Sequence, residues 1–122
     1  MKNLDMFCLT LEPNHYKFIK KLGYIPVGLG EKNFDKDWLS DKSGINISKK
    51  NKHYGEYTFH YWFWKNILPK IEDNHWIGFS AYREHWGNKK EIYKNSKIED
   101  VVIKKIPAEW NKFDTIIGEH LY

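Results

Sequence analysis

Between His53 and Trp64 the chain carries seven large rings: Tyr54, Tyr57, Phe59, Tyr61, Trp62, Phe63 and Trp64. Few folded arrangements accept such a density. As a strand, Tyr57, Phe59, Tyr61 and Phe63 would share one face, and Thr58, His60, Trp62 and Trp64 the other. Both faces are bulky, so periodicity does not separate strand from helix. Length does: Asn51 to Ile67 exceeds an ordinary strand, and the window is predicted as a single helix. Being apolar nearly all round, that helix has to be buried or overlaid by other elements. Most of its rings are therefore expected in the core, because seven exposed ones would invite aggregation. One or two remain for a ligand, where Trp and Tyr stack on sugar faces or nucleobases.

The chain can build one core around that helix and not two. Its 122 residues suit a single domain over 1–122. A hydrophobic fraction of 41% excludes a disordered chain. The lone Cys8 cannot staple the fold; mid-strand and with no base nearby, it reads as buried and inert. No apolar run approaches the ~18 residues of a membrane span, and Met1 to Asp5 lacks the apolar stretch of a signal peptide. A soluble, cytoplasmic protein is expected. The net charge of +4 is a weak electrostatic footprint. The lysines are scattered among acidic residues, and Arg83 is the only arginine. That is poor equipment for a phosphate-backbone binder, so nucleic acid is not an expected partner.

Along the chain, Met6–Leu11 reads as a buried strand. Pro13 and Asn14 open a helix through Lys21, with Tyr16, Ile19 and Leu22 on one face and Gly23 at its end. Tyr24–Leu29 is apolar with Pro26 inside it, which predicts an edge strand or an extended segment. Glu31–Asn46 is polar and irregular, anchored by Phe34, Trp38 and Leu39. Asn46, Ser48 or Asn51 can cap the aromatic helix. His75–Tyr82 is apolar on both faces and predicts a central strand. Residues 87–90 form a loop. Ile98–Ile106 fits helix or strand, Pro107–Lys112 a short helix and Asp114–Gly118 a last strand. Strands alternating with helices imply an α/β fold with a mainly parallel sheet. Ligands on such sheets bind at the carboxyl ends of the strands, here the loops after Leu11, Gly30 and Tyr82.

Three constellations could carry chemistry. His53, Glu56 and His60 lie on one face of a continuous helix and could hold a metal, but the spacing is not that of a known zinc helix, and a polar seam at a crowded helix is the commoner use. Asp35-Lys36-Asp37 is an Asp-x-Asp of the kind that holds Mg2+ or Mn2+ on a diphosphate. A working pair directly follows a strand, and this one sits in a polar loop. Tyr82-Arg83-Glu84-His85-Trp86 does directly follow a strand, and its arginine can clamp a diphosphate or carboxylate through two parallel hydrogen bonds.

Two stretches carry a resemblance. Gly44-Ile45-Asn46-Ile47-Ser48-Lys49-Lys50-Asn51 continues through His53-Tyr54-Gly55-Glu56-Tyr57-Thr58 to Tyr61-Trp62-Phe63-Trp64-Lys65-Asn66. Trp76-Ile77-Gly78-Phe79-Ser80-Ala81-Tyr82-Arg83 follows. Together they resemble a bacterial glycosyltransferase-like family of capsular and exopolysaccharide gene clusters, a domain-of-unknown-function family. Its hallmark reads Gly-Asp-Asn-Ile-Ser-x-Lys-Asn-x-x-Tyr-x-Glu-Leu-Thr-x-x-Tyr-Trp-x-Trp-Lys-Asn, followed later by Tyr-Ile-Gly-x-x-His-Tyr-Arg-Arg.

The resemblance implies a GT-A-like (Rossmann-like) sheet flanked by helices, in an incomplete or minimal version. It implies a nucleotide-diphosphate sugar as donor and a saccharide or lipid-linked acceptor. The expected function is sugar transfer in capsule, exopolysaccharide or lipopolysaccharide biosynthesis, in the cytoplasm and peripheral to the inner membrane. Mn2+ or Mg2+ is the candidate ion, without an assigned ligand. Nucleotide-sugar binding is expected of Asn46, Lys50, Asn51, Tyr54, Glu56, Trp62, Lys65, Tyr82 and Arg83, joined by Thr10 at the end of the first strand. Tyr61, Trp64 and Asn66 also match the hallmark. Arg83 would face the diphosphate, Asn46 and Asn51 would fix the loop-to-helix turn, and Glu56 would bind a sugar hydroxyl or orient Lys50. Catalytic residues are not assigned.

The chain departs from the hallmark at three places: Ile45 stands for its aspartate, Ala81 for its histidine and Glu84 for its second arginine. Family members are also longer, so the chain is expected to be the N-terminal, nucleotide-sugar-binding part of a longer domain. The alternative that the departures motivate is a non-catalytic carbohydrate- or partner-binding remnant of the same fold.

Overall fold

The computed structural model describes residues 4–87 and 97–118. Four parallel strands form one sheet: β1 (Leu4–Thr10), β2 (Ile25–Gly28), β3 (Leu39–Ser40) and β4 (Trp76–Ala81), in the order β3-β2-β1-β4. Helices α1 (Tyr16–Lys21), α2 (Asn51–Tyr54), α3 (Tyr57–Asn66) and α4 (Ile98–Val101) connect or follow them. This is an α/β fold with a parallel sheet. Among the described residues, no helix is long and apolar enough to cross a membrane.

Alternation along β1 sorts its side chains onto two faces. Phe7 and Leu9 join Val27 and Leu29 beneath Phe59, Trp62 and Phe63 of α3, with Ile77 and Phe79 of β4 packed at the margin. Leu4, Met6 and Cys8 face the other way, against Ile19 and Leu22 of α1 and Val102, Ile103 and Ile106 of the C-terminal segment. That segment is sewn to the sheet through Trp86. Its indole N–H donates to the Phe79 carbonyl at 2.8 Å, and its own carbonyl accepts from the Ile103 N–H at 2.8 Å. Burial pushes the Cys8 thiol up, partly offset by a hydrogen bond with Ser80.

The predicted helix after the first strand is present, beginning as a 3-10 turn over Pro13–His15 and continuing as α1. Gly23 ends it with φ of 80°, a left-handed position that glycine fills without strain. The segment 98–106, readable either way, is helical over Ile98–Val101 and extended at Val102, which bridges Gly87. Pro107–Lys112 shortens to a 3-10 turn over Ala108–Trp110. Of the predicted loop 87–90, all but Gly87 lies outside the described residues.

Five expectations are corrected. First, β2 is interior, not an edge. Pro26 is tolerated because β3 pairs only with Val27 and Gly28, so no ladder bond at Pro26 is lost on that side. Second, β4 is not central: among the described residues it pairs with β1 alone. Both its faces are apolar because α3 covers one and the C-terminal segment the other.

Third, the aromatic window is two helices. Gly55 has φ of 55° and ψ of −132°, a combination open only to glycine, and the chain turns there between α2 and α3. Fourth, most of the seven rings are not core. Phe59, Trp62 and Phe63 are buried and Tyr61 is half-buried, whereas Tyr54, Tyr57 and Trp64 are 52%, 65% and 54% exposed. Fifth, Asp114–Gly118 is not a strand; its Thr-Ile-Ile run has high strand propensity but no partner strand among the described residues.

Candidate functional site at the carboxyl ends of the strands

Because the strands are parallel, their carboxyl ends meet along one edge of the sheet. Register pairs Thr10 with Gly28, Leu9 with Ala81 and Gly28 with Ser40. Thr10, Gly30, Asp41, Tyr82 and Arg83 therefore end or directly follow strands on the same rim.

The Thr10 hydroxyl is the hub. It accepts the Glu12 backbone N–H at 3.1 Å and lies 2.7 Å from Nδ1 of His15. The tautomer of His15 decides which of the two carries the shared proton. The imidazole stacks on the Tyr82 ring, with centroids 4.4 Å apart and planes at 24°. Tyr82 is itself placed by its backbone N–H, which donates to the Leu9 carbonyl at 3.2 Å. Arg83 bends back over its neighbour. Its Nε–H donates to the Tyr82 hydroxyl at 2.6 Å, with the guanidinium carbon 5.0 Å from the ring centroid.

That single tether uses one of five guanidinium N–H groups and leaves the terminal pair for a planar anion. Arg83 is exposed, so its charge is open to solution. Two ion pairs tie the strand-end loops together: Lys32 with Glu12 joins the loops after β1 and β2, and Lys52 with Glu31 at 3.3 Å joins the second loop to α2.

Residues 9–121 match the model of a family described as Domain of unknown function (DUF4422). The chain belongs to the DUF4422 family. Comparison with curated proteins and with solved structures returns no match. The DUF4422 match opens at Leu9, one residue before Thr10, and takes in every side chain of the rim.

Within this DUF4422 domain the ten expected binding residues fall into separate places. Thr10, Tyr82 and Arg83 meet at the rim. Asn51 approaches it, its Oδ1 lying 3.7 Å from where a side chain on Gly30 would begin. Its amide donates to the Gly55 carbonyl at 2.9 Å and to the Thr58 hydroxyl at 3.1 Å, so it closes the joint between α2 and α3.

Asn46 and Trp62 belong to a structural seam. Asn46 accepts the Ser48 N–H at 3.2 Å and donates to the Gly44 carbonyl at 3.0 Å, holding the turn before Ser48. The Trp62 indole donates to the Ser43 carbonyl at 2.9 Å, and Asn66 bonds both the N–H and the carbonyl of Ile45. Lys65 lies over the exposed Trp64 ring at 3.8 Å. Lys50, Tyr54 and Glu56 are exposed. Asn46, Ser48 and Asn51 are each candidate caps in the sequence, but Lys50 stands at the N-cap of α2 with no side-chain cap bond; Asn46 holds the turn before Ser48, while Asn51 ties α2 to α3.

Of the other constellations, Asp35 and Asp37 form a local turn in which the Asp37 N–H donates to Asp35. Among the described residues, no group of three His, Cys, Asp or Glu side chains could hold a metal ion. Gly55 breaks the helix that would have aligned His53, Glu56 and His60. His60 instead packs edge-on against Phe79 at 4.6 Å, and burial lowers its pKa against a smaller opposing effect of Glu56. Burial likewise lowers His85, offset in part by the Tyr82 backbone.

Two rim features escaped the sequence reading. His15 falls inside the helix predicted from Pro13 to Lys21, next to the strand end that the parallel-sheet rule singles out, and nothing in sequence marks it. Asp41 follows β3 at 1% exposure, with both carboxylate oxygens lacking a hydrogen-bond partner. Nothing in its polar, irregular surroundings in sequence distinguishes it.

Proposed function

We propose that this DUF4422 domain binds the diphosphate of a nucleotide-diphosphate sugar at the carboxyl-end rim, as the donor-binding part of a GT-A-like glycosyltransferase. The observation that carries the reading is Arg83, tethered by Nε to Tyr82 with its terminal nitrogens free, beside the Thr10–His15 pair. A diphosphate offers paired oxygens to that fork, and carboxyl-end rims are where parallel sheets take ligands. The hallmark resemblance supplies the sugar and the context: transfer to a saccharide or lipid-linked acceptor in surface polysaccharide biosynthesis, in the cytoplasm and peripheral to the inner membrane. Mn2+ or Mg2+ would enter with the diphosphate and not through a site formed by the described side chains.

A second reading, a non-catalytic binding remnant, is favoured by one observation. Glu84, where the hallmark has arginine, is exposed immediately beside Arg83 and opposes an anion there. Calorimetric titration of the chain with UDP, GDP and their hexose conjugates tests the first reading. Saturable binding that weakens about 10–100-fold in Arg83→Ala is expected, the range for losing a charge-assisted bidentate contact. No binding of any nucleotide diphosphate would overturn it. Binding without turnover of a bound donor sugar by the full-length protein would favour the remnant.

A further inference from the structure

A cavity lies at the other end of the sheet. It is an open groove of about 760 Å3 along the start of β4, closed on the far side by residues 106–116. Leu4 and Trp76, which are paired in register at the beginnings of β1 and β4, form its floor. β1 extends from Leu4 to Thr10, so at ~3.3 Å per residue about 20 Å separate this groove from the rim. A ligand here is out of reach of chemistry at Arg83.

The lining has a distinct chemistry. Trp76, Trp86 and Trp110 present three indoles, half of the chain's six. Asp73, Asp114 and two asparagines supply acceptors and amides, and among the described residues no lysine or arginine lines the groove. In a chain of net charge +4, two carboxylates with no cation paired to them among the described residues oppose phosphates and nucleotides. Half-buried indoles lining the groove beside exposed carboxylates and amides suit a pyranose, whose C–H faces stack on aromatic rings while its hydroxyls donate outward. The wall is also braced: the His75 imidazole pairs with Asp5 at 3.0 Å, and the Trp86 N–H is fixed on the Phe79 carbonyl. The indole surface is thus held in place before a ligand arrives.

We propose that this groove binds a neutral saccharide non-catalytically, holding a sugar chain at the end of the domain opposite the rim. The proposal does not depend on nucleotide binding at Arg83.

The test is tryptophan emission and calorimetry of the chain titrated with maltotriose, cellotriose and chitotriose. At least one is expected to saturate both signals. The Asp73→Ala/Asp114→Ala double variant, altered only at exposed positions, is expected to weaken it about tenfold or more. Arg83→Ala and added UDP should leave it unchanged. Trp110→Ala, checked for folding by circular dichroism, should abolish it. Absence of a response to all three sugars would overturn the proposal. So would equal weakening by Arg83→Ala, or a dimer in light scattering that the double aspartate variant dissolves, which would make a second copy the occupant.

Discussion

His15 and Tyr82 stack face to face, 4.4 Å apart, although they come from the turn after β1 and the turn after β4. Adjacent parallel strands bring those turns together, and the Thr10 hydroxyl holds the imidazole in place at 2.7 Å. The rim is therefore a cross-strand construction that depends on few groups.

Thr10 is the first of them. It is 4% exposed and its hydroxyl serves both Glu12 and His15. Thr10→Val keeps the shape and removes the hydroxyl, leaving the Glu12 N–H without its acceptor. Urea unfolding is expected to show a loss of about 1–3 kcal/mol. The His15 imidazole resonances should shift at the same time. An unchanged midpoint and an unchanged His15 would mean that the hydroxyl organises nothing.

Gly55 provides a clean test of backbone geometry. Nothing lies within 4 Å of where its Cβ would sit, so a substitution there meets no steric neighbour. Its φ and ψ are nonetheless those of glycine alone. Gly55→Ala is expected to cost about 1–3 kcal/mol through the backbone, read as a lower thermal midpoint. A neutral substitution would show that α2 and α3 are joined differently.

The histidines set a pH dependence. Burial holds His60 and His85 below their ordinary value in the folded chain. As pH falls through about 6.5, the unfolded chain takes up those protons first, so stability is full above that pH and declines below it. Thermal midpoints from pH 8 to pH 5 should fall, and His60→Gln should flatten the decline. A steeper decline in the variant would reverse the sign assigned to His60.

Much of the architecture was legible because local signals agreed with tertiary need. The apolar run at Met6–Leu11, the Tyr16/Ile19/Leu22 face and Gly23 mark β1 and α1, and alternation of strand and helix implies the parallel sheet. The errors occur where position in the sheet, and not composition, decides. Pro26 signals an edge or an extended segment, but β3 is too short to need a donor at that position. The apolar β4 looks central, but its two faces are covered by different segments. Gly55 falls inside the stretch predicted as a single helix, and the φ and ψ that break the helix there are not visible in sequence.

The candidate site divides similarly. The strand-end rule selects Thr10, Tyr82 and Arg83. The hallmark stretch mixes them with Asn46, Trp62 and Asn66, whose bonds run to the backbone of residues 43–48. His15 has no pattern around it, and only the stack on Tyr82 reveals it.

Arg83 is the only arginine of the chain, so its Nε–H is a single side-chain resonance in a nitrogen–proton correlation spectrum. Titration of the labelled chain with UDP and GDP observes the proposed contact directly. Saturable displacement of that resonance, together with the Tyr82 and His15 signals, is the expected result. A resonance that stays fixed through saturating nucleotide diphosphate would contradict binding at the rim.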